Sequence, residues 1–183
     1  MIFGFNMQKL ITILFLLPIL TSSKNLEENN FLSNHLRGLE PFVGKTFKGR
    51  FINSKLGSPY FDVKHWERAL NGSAVRITNS VNDGEHGGER IVVFDPNQNS
   101  LVSWYFSTGG IITNSVVEIK NRKLISIEDV SNNKNGIKMI KTTYTLMNDG
   151  KLKNEIKYYM NNVWVEGHEM IYDEDLNAKI IFK

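Results

Sequence analysis

From Gly44 to the C-terminus, apolar and polar residues alternate with a period of two, the spacing of strands that show one face to a core and the other to water. Turn chemistry interrupts the alternation about every ten residues. Asn71-Gly72, Gly109-Gly110, Asn121-Arg122, Asn148-Asp149-Gly150 and Asn161-Asn162 are residues that tolerate the positive φ of two- or three-residue hairpin loops. Residues 95–99 and 131–136 read as longer loops. The pattern predicts strands over 45–52, 60–70, 73–81, 89–95, 101–108, 111–120, 123–130, 137–147, 151–160 and 163–172. The connections leave no room for crossover helices, so consecutive strands must pair antiparallel as a meander. Closure on itself removes the exposed edges, which favours an all-β, antiparallel up-and-down β-barrel of about ten strands; an open curved sheet is the structural alternative.

Before the strands, Leu26, Phe31, Leu32, His35 and Leu36 fall near helical spacing, and Pro41 forbids much continuation. One short N-terminal helix over 26–36 is expected, packed across a barrel end through Phe31 and Leu32. Further upstream, Lys9, the apolar run Leu10 to Leu20 and Thr21-Ser22-Ser23 have the order of charge, apolar stretch and small residues found in a secretory signal. The expected organisation is a signal peptide over 1–23 and a single barrel domain over 24–183, exported to the periplasm or secreted. The apolar run is short for a bilayer span, which needs about 18 residues, so no stable membrane insertion is expected once the signal is removed.

Composition narrows the chemistry. The chain has no cysteine, which excludes disulfides, thiolate metal ligands and a Cys nucleophile. Removing Lys9 leaves 21 Lys and Arg against 19 Asp and Glu, a net charge of +2 for the mature chain. The lysines are scattered, densest between Lys134 and Lys157, and a solvated strand face accounts for them; no nucleic-acid partner is expected. The histidines at 35, 65, 86 and 168 lack paired ligand spacing, which argues against a preformed zinc site. No Gly-x-Ser-x-Gly elbow and no glycine-rich phosphate loop is present.

Three constellations stand out. The Asn71-Gly72 turn sets a register in which Glu67 faces Arg76, His65 faces Thr78 and Val63 faces Ser80, with Trp66, Val75 and Ile77 on the opposite face. That polar row is either a solvated outer face or the lining of a partly polar lumen, with Arg76 anchoring a ligand and Glu67 orienting it. In the second case Glu67, Arg76, Thr78, His65, Trp104 and Tyr105 form the ligand site. Residues 82–89 gather three carboxylates, His86 and three glycines, yet miss a calcium-loop spacing and read as a turn and bulge. Ser103 to Phe106 form the most aromatic strand, suited to core packing or to an apolar cavity.

Gly44, Phe47 and Gly49, in the stretch Leu39 to Gly49, resemble the first strand of calycin-type barrels, where a glycine, an aromatic at the barrel base and a second small residue open the sheet. Phe47 stands where Trp is commoner. The run from Trp66 through Asn71-Gly72 to Gly87-Gly88-Glu89 is similar to exported bacterial domains with a lipocalin-like or nitrobindin-like barrel. The resemblance implies a cavity for a small, mostly apolar or amphipathic molecule held by a polar head, without catalysis. It also admits haem held by a proximal histidine, for which His168 on the last strand is the candidate; the motifs themselves call for no cofactor. The alternatives are a barrel enzyme using His65 or His86 with a carboxylate for acid-base chemistry, and a filled barrel with an interaction role.

Overall fold

The computed structural model describes residues 31–51, 61–130 and 135–183. Ten antiparallel strands form a closed barrel: β1 (Thr46–Phe51), β2 (Phe61–Ala69), β3 (Ala74–Val81), β4 (His86–Asp95), β5 (Ser100–Ser107), β6 (Ile112–Lys120), β7 (Lys123–Asp129), β8 (Met139–Leu146), β9 (Leu152–Met160) and β10 (Val163–Glu174). Each strand pairs with its sequence neighbours, and β1 pairs with β10 from Phe47↔Glu174 to Phe51↔Met170 to close the ring. The meander and the ten strands are those that the alternation predicts. The leader expected over 1–23 lies outside the described residues.

The β2–β3 register also agrees with the sequence reading, with Glu67↔Arg76, His65↔Thr78 and Val63↔Ser80. The turn itself differs. Leu70, Asn71 and Gly72 all adopt positive φ (46°, 54° and 89°), and pairing begins at Ala69↔Ala74. The longer loop is centred on the same peptide as the expected two-residue one, so every pairing is preserved.

The N-terminal element is a 3-10 helix over Asn34–Leu39, shorter and later than the helix expected over 26–36; Leu26 to Asn30 lie outside the described residues. It closes one barrel end with Leu32, Leu36 and Leu39, all buried, and His35 stacks on Phe94 with ring centroids 3.6 Å apart. Phe31, expected to pack there, is exposed. The helix sits so close to the barrel that a Cβ on Gly38 would lie 2.5 Å from the Ile119 side chain, so any larger residue there would have to displace Ile119 or the helix.

Next to the helix the lumen is a packed apolar core. Trp66 is fully buried, stacked on Phe42 (4.7 Å) and edge-on to Tyr144 (5.4 Å), with Phe47, Val75, Leu124 and Leu152 around it. Trp66 and Ile77 therefore point inward. Glu67, one residue on, points outward, and its partner Arg76 lies beside it on the outer wall. We expect Trp66→Ala to lower unfolding free energy by about 3–5 kcal/mol in chemical denaturation, as for other large core aromatics. Glu67→Ala should change it by less than about 1 kcal/mol, the usual contribution of an exposed ion pair.

Candidate functional site

Beyond the Trp66 layer, toward the end of the barrel away from the helix, the inward rows turn polar. The alternation that directs Trp66 inward also directs Lys64 and Asp62 inward from β2. Arg90 enters from β4, Ser103 and Tyr105 from β5, Ser115 from β6, Ser126 and Glu128 from β7, Thr142 and Tyr144 from β8, and Asn154 from β9. β10 contributes His168, Met170 and Tyr172. Its pairing with β9 shifts between Glu166 and Glu169, and this bulge brings His168 to the cavity wall.

Buried charges are tolerated only when paired and hydrogen-bonded, and both ion pairs of this lumen meet that condition. Lys64 Nζ lies 2.7 Å from Asp62 Oδ2, which also accepts a hydrogen bond from the Tyr172 hydroxyl at 2.9 Å. The Lys64 ammonium sits 5.7 Å from the ring centres of both Tyr144 and Tyr172. Burial, the largest single influence, would depress its pKa, but the Asp62 carboxylate, Tyr144 and Tyr172 together outweigh burial and hold Lys64 charged, well above the ordinary lysine value. Arg90 Nη2 donates to Glu128 Oε1 at 2.6 Å, and its Nη1 donates to Ser103 Oγ at 2.7 Å and Ser115 Oγ at 3.2 Å. Tyr105 lies 5.5 Å from the Arg90 guanidinium and donates to Asn79 Oδ1 at 3.3 Å; burial raises its pKa above the ordinary phenol value.

These groups border a cavity of about 270 Å³ lined by Asp62, Lys64, Asn79, Arg90, Tyr105, Asn154 and His168 on its polar side, and by Ile77, Val81, Ile156 and Met170 on its apolar side. Two buried acceptors on that wall, Asp62 Oδ1 and Asn154 Oδ1, have no hydrogen-bond partner among the described residues. The arrangement can receive a hydrogen-bond donor while keeping an apolar flank against the aliphatic side.

Of the six residues expected to form the ligand site, the structure places Tyr105 in this cavity and the rest outside it. Glu67 and Arg76 contact each other on the outer wall, so of the two readings of that row the outer face is the one observed, and the ligand site that included them in the lumen is corrected. His65 shares their face and bonds Thr46 Oγ1 through Nδ1 at 2.9 Å, while Thr78 is buried in the same outward row. Trp104 points outward and is exposed. His86 is exposed at the start of β4. Register fixes which residues share a face; it does not say which face is inside. Asp62 and Lys64 were nonetheless legible, since they lie four and two residues before Trp66 and share its face. Arg90 and Glu128 were not, because they meet only through ring geometry, 38 residues apart.

His168, the haem candidate, does reach the cavity. Burial, then the Lys64 ammonium, lowers its pKa below the ordinary value of 6.5, while Asp62 opposes them. That favours the unprotonated imidazole a metal requires. The surrounding wall of Asp62, Lys64, Arg90 and Asn154 offers no apolar slot for a flat porphyrin, so these residues do not fit haem. Among the described residues no cluster of three or more metal-ligating side chains occurs.

The class that fold and cavity define is a closed ten-stranded antiparallel barrel, packed at one end and hollow and polar at the other. No protein-family model and no curated protein matches the chain. Among solved structures it is similar to the crystal structure of Rv2717c from M. tuberculosis, with a TM-score of 0.52 and 12% sequence identity over 79% of this chain and 99% of that one. The likeness is one of barrel fold.

Two outcomes follow from the site. Glu128→Ala leaves Arg90 buried without its counter-charge and should cost about 3–5 kcal/mol in urea unfolding, whereas joint replacement by Met at 90 and Leu at 128 should restore most of that stability. Because His168 has a lowered pKa in the folded chain, the unfolded chain takes up this proton first as pH falls below about 6.5. The resulting stability is present above that pH and is lost below it. Unfolding curves between about pH 7 and 5 should therefore fall less steeply for His168→Gln than for the parent protein.

Proposed function

We propose that this protein is an exported, non-enzymatic binder of a small amphipathic molecule, held in the polar half of the barrel lumen. One observation carries the reading: Asp62 and Asn154 both line this cavity, and each has a buried oxygen, Oδ1, that no donor among the described residues reaches. A buried acceptor without a donor costs about 1–3 kcal/mol, and a ligand bearing a hydroxyl or amide N–H would recover it. The polar head lies against Asp62 and Asn154, with Lys64 and Arg90 fixed by their own carboxylates. A short aliphatic part lies against Ile77, Val81, Ile156 and Met170.

The cavity, at about 270 Å³, sits at the lower edge of the ligand-pocket range of about 300–1,000 Å³. The ligand is therefore small and about half polar, in place of the mostly apolar one that the sequence suggests. Charge adds a restriction. Lys64 and Arg90 are already neutralised, so a second full charge of either sign would enter without a counter-ion; the ligand is neutral. The order of Lys9, the apolar run Leu10 to Leu20 and Thr21-Ser22-Ser23, that of a secretory leader, supports binding outside the cytoplasm.

Native mass spectrometry of protein purified from its own source tests the proposal. The expected result is a retained small neutral molecule that is lost, or at least tenfold depleted, in Asn154→Leu. Retention unchanged in that variant would move the ligand elsewhere, and a chain carrying nothing but water would support the filled barrel instead.

A further inference from the structure

Most of the outer wall is charged and internally paired: Glu67 with Arg76, Lys157 with Glu166 at 2.6 Å, and Lys153 with both Glu155 and Glu169. The outward rows of β5, β6 and β7 differ. Trp104 is 45% exposed, Phe106 46%, Ile112 62%, Val116 60% and Ile127 39%. Register makes them one surface, because Phe106 pairs with Ile112, Trp104 with Asn114, and Val116 with both Val102 and Ile127. Glu118 and Asp129 lie at its margins, and no charge falls among the outward positions between them. Isolated exposed apolar side chains are normal, but a continuous band of them on three adjacent strands marks an interaction surface.

We propose that this wall is the interface of a homodimer, with β5–β7 of one copy packed on β5–β7 of another around a two-fold axis. Two properties select a second copy as the occupant. The first is charge. A two-fold axis presses a surface against itself, so each charged residue near the axis meets its own kind. The β5–β7 wall is a stretch of the barrel exterior without such residues at its centre, whereas the β8–β10 wall carries lysines and glutamates already paired within one copy. The second is area. The exposed surface of these five residues amounts to roughly 500 Å², and a polar rim that includes Asn114 would bring it toward the ~800 Å² per partner of a stable complex. Trp104 and Phe106 supply the aromatic anchors typical of an interface centre.

Analytical ultracentrifugation of the purified protein from about 1 to 100 µM tests this. The expected mass is twice that of the protomer at the upper concentrations, and half of that for Val116→Lys and for Ile127→Glu. Both positions point into solvent, so each variant should keep the parent's far-UV circular dichroism, which separates loss of the interface from loss of the fold. A parent protein that stays monomeric at about 100 µM would overturn the proposal. So would a folded Val116→Lys, Ile127→Glu double variant that still dimerises, or a monomer that co-sediments with phosphatidylcholine vesicles through Trp104, which would assign the wall to a lipid surface.

Discussion

The pairing of β1 with β10 is the constraint on which the rest of the structure depends. Without it the sheet has two open edges and two solvated faces; with it one row of every strand becomes interior and must be filled, paired or left as a cavity. The closure requires close approach. A Cβ on Gly49 of β1 would lie 2.5 Å from the Tyr172 ring and 2.7 Å from the Ile171 carbonyl of β10, so the seam depends on a residue without a side chain. Tyr172 then serves two regions at once, with its ring in the core and its hydroxyl on Asp62.

The interior is divided along the barrel axis. At the helix end, Leu36, Leu39, Phe42 and Trp66, all fully buried, form an apolar plug. Toward the other end the same rows carry Lys64, Asp62, Arg90 and Glu128, and each cation is held by a carboxylate and surrounded by hydroxyls or aromatic rings. Buried ion pairs of this kind contribute little net stability compared with apolar replacements, because desolvation offsets the attraction. Their retention in the half that also contains the cavity fits a lumen shaped for a polar guest. The plug secures the fold and leaves the other half free to be polar.

Inside and outside follow opposite rules. The lumen carries charge where a packed core would be apolar, and the wall of β5–β7 is apolar where a solvated surface would be charged. Neither departure is what burial of apolar side chains and solvation of charged ones would produce. The proposed guest would account for the first and the proposed second copy for the second, and the two proposals stand on separate residues.

The period-two alternation and the turn residues determined the number of strands, their order, their antiparallel pairing and the β2–β3 register, because hairpin contacts are local and a turn centre fixes every pair that follows from it. Alternation also sorted Glu67, Arg76 and His65 from Trp66 and Ile77. It did not say which set faces inward, since a period of two is unchanged when inside and outside are exchanged. Only closure of the ring decided that, by enclosing Trp66 with Phe42 and Tyr144, and with it Asp62 and Lys64. The contact between Arg90 and Glu128 and the arrival of His168 at the cavity through a bulge in β10 depend on the curvature of the whole sheet, a property of ten strands together that no local stretch of sequence encodes.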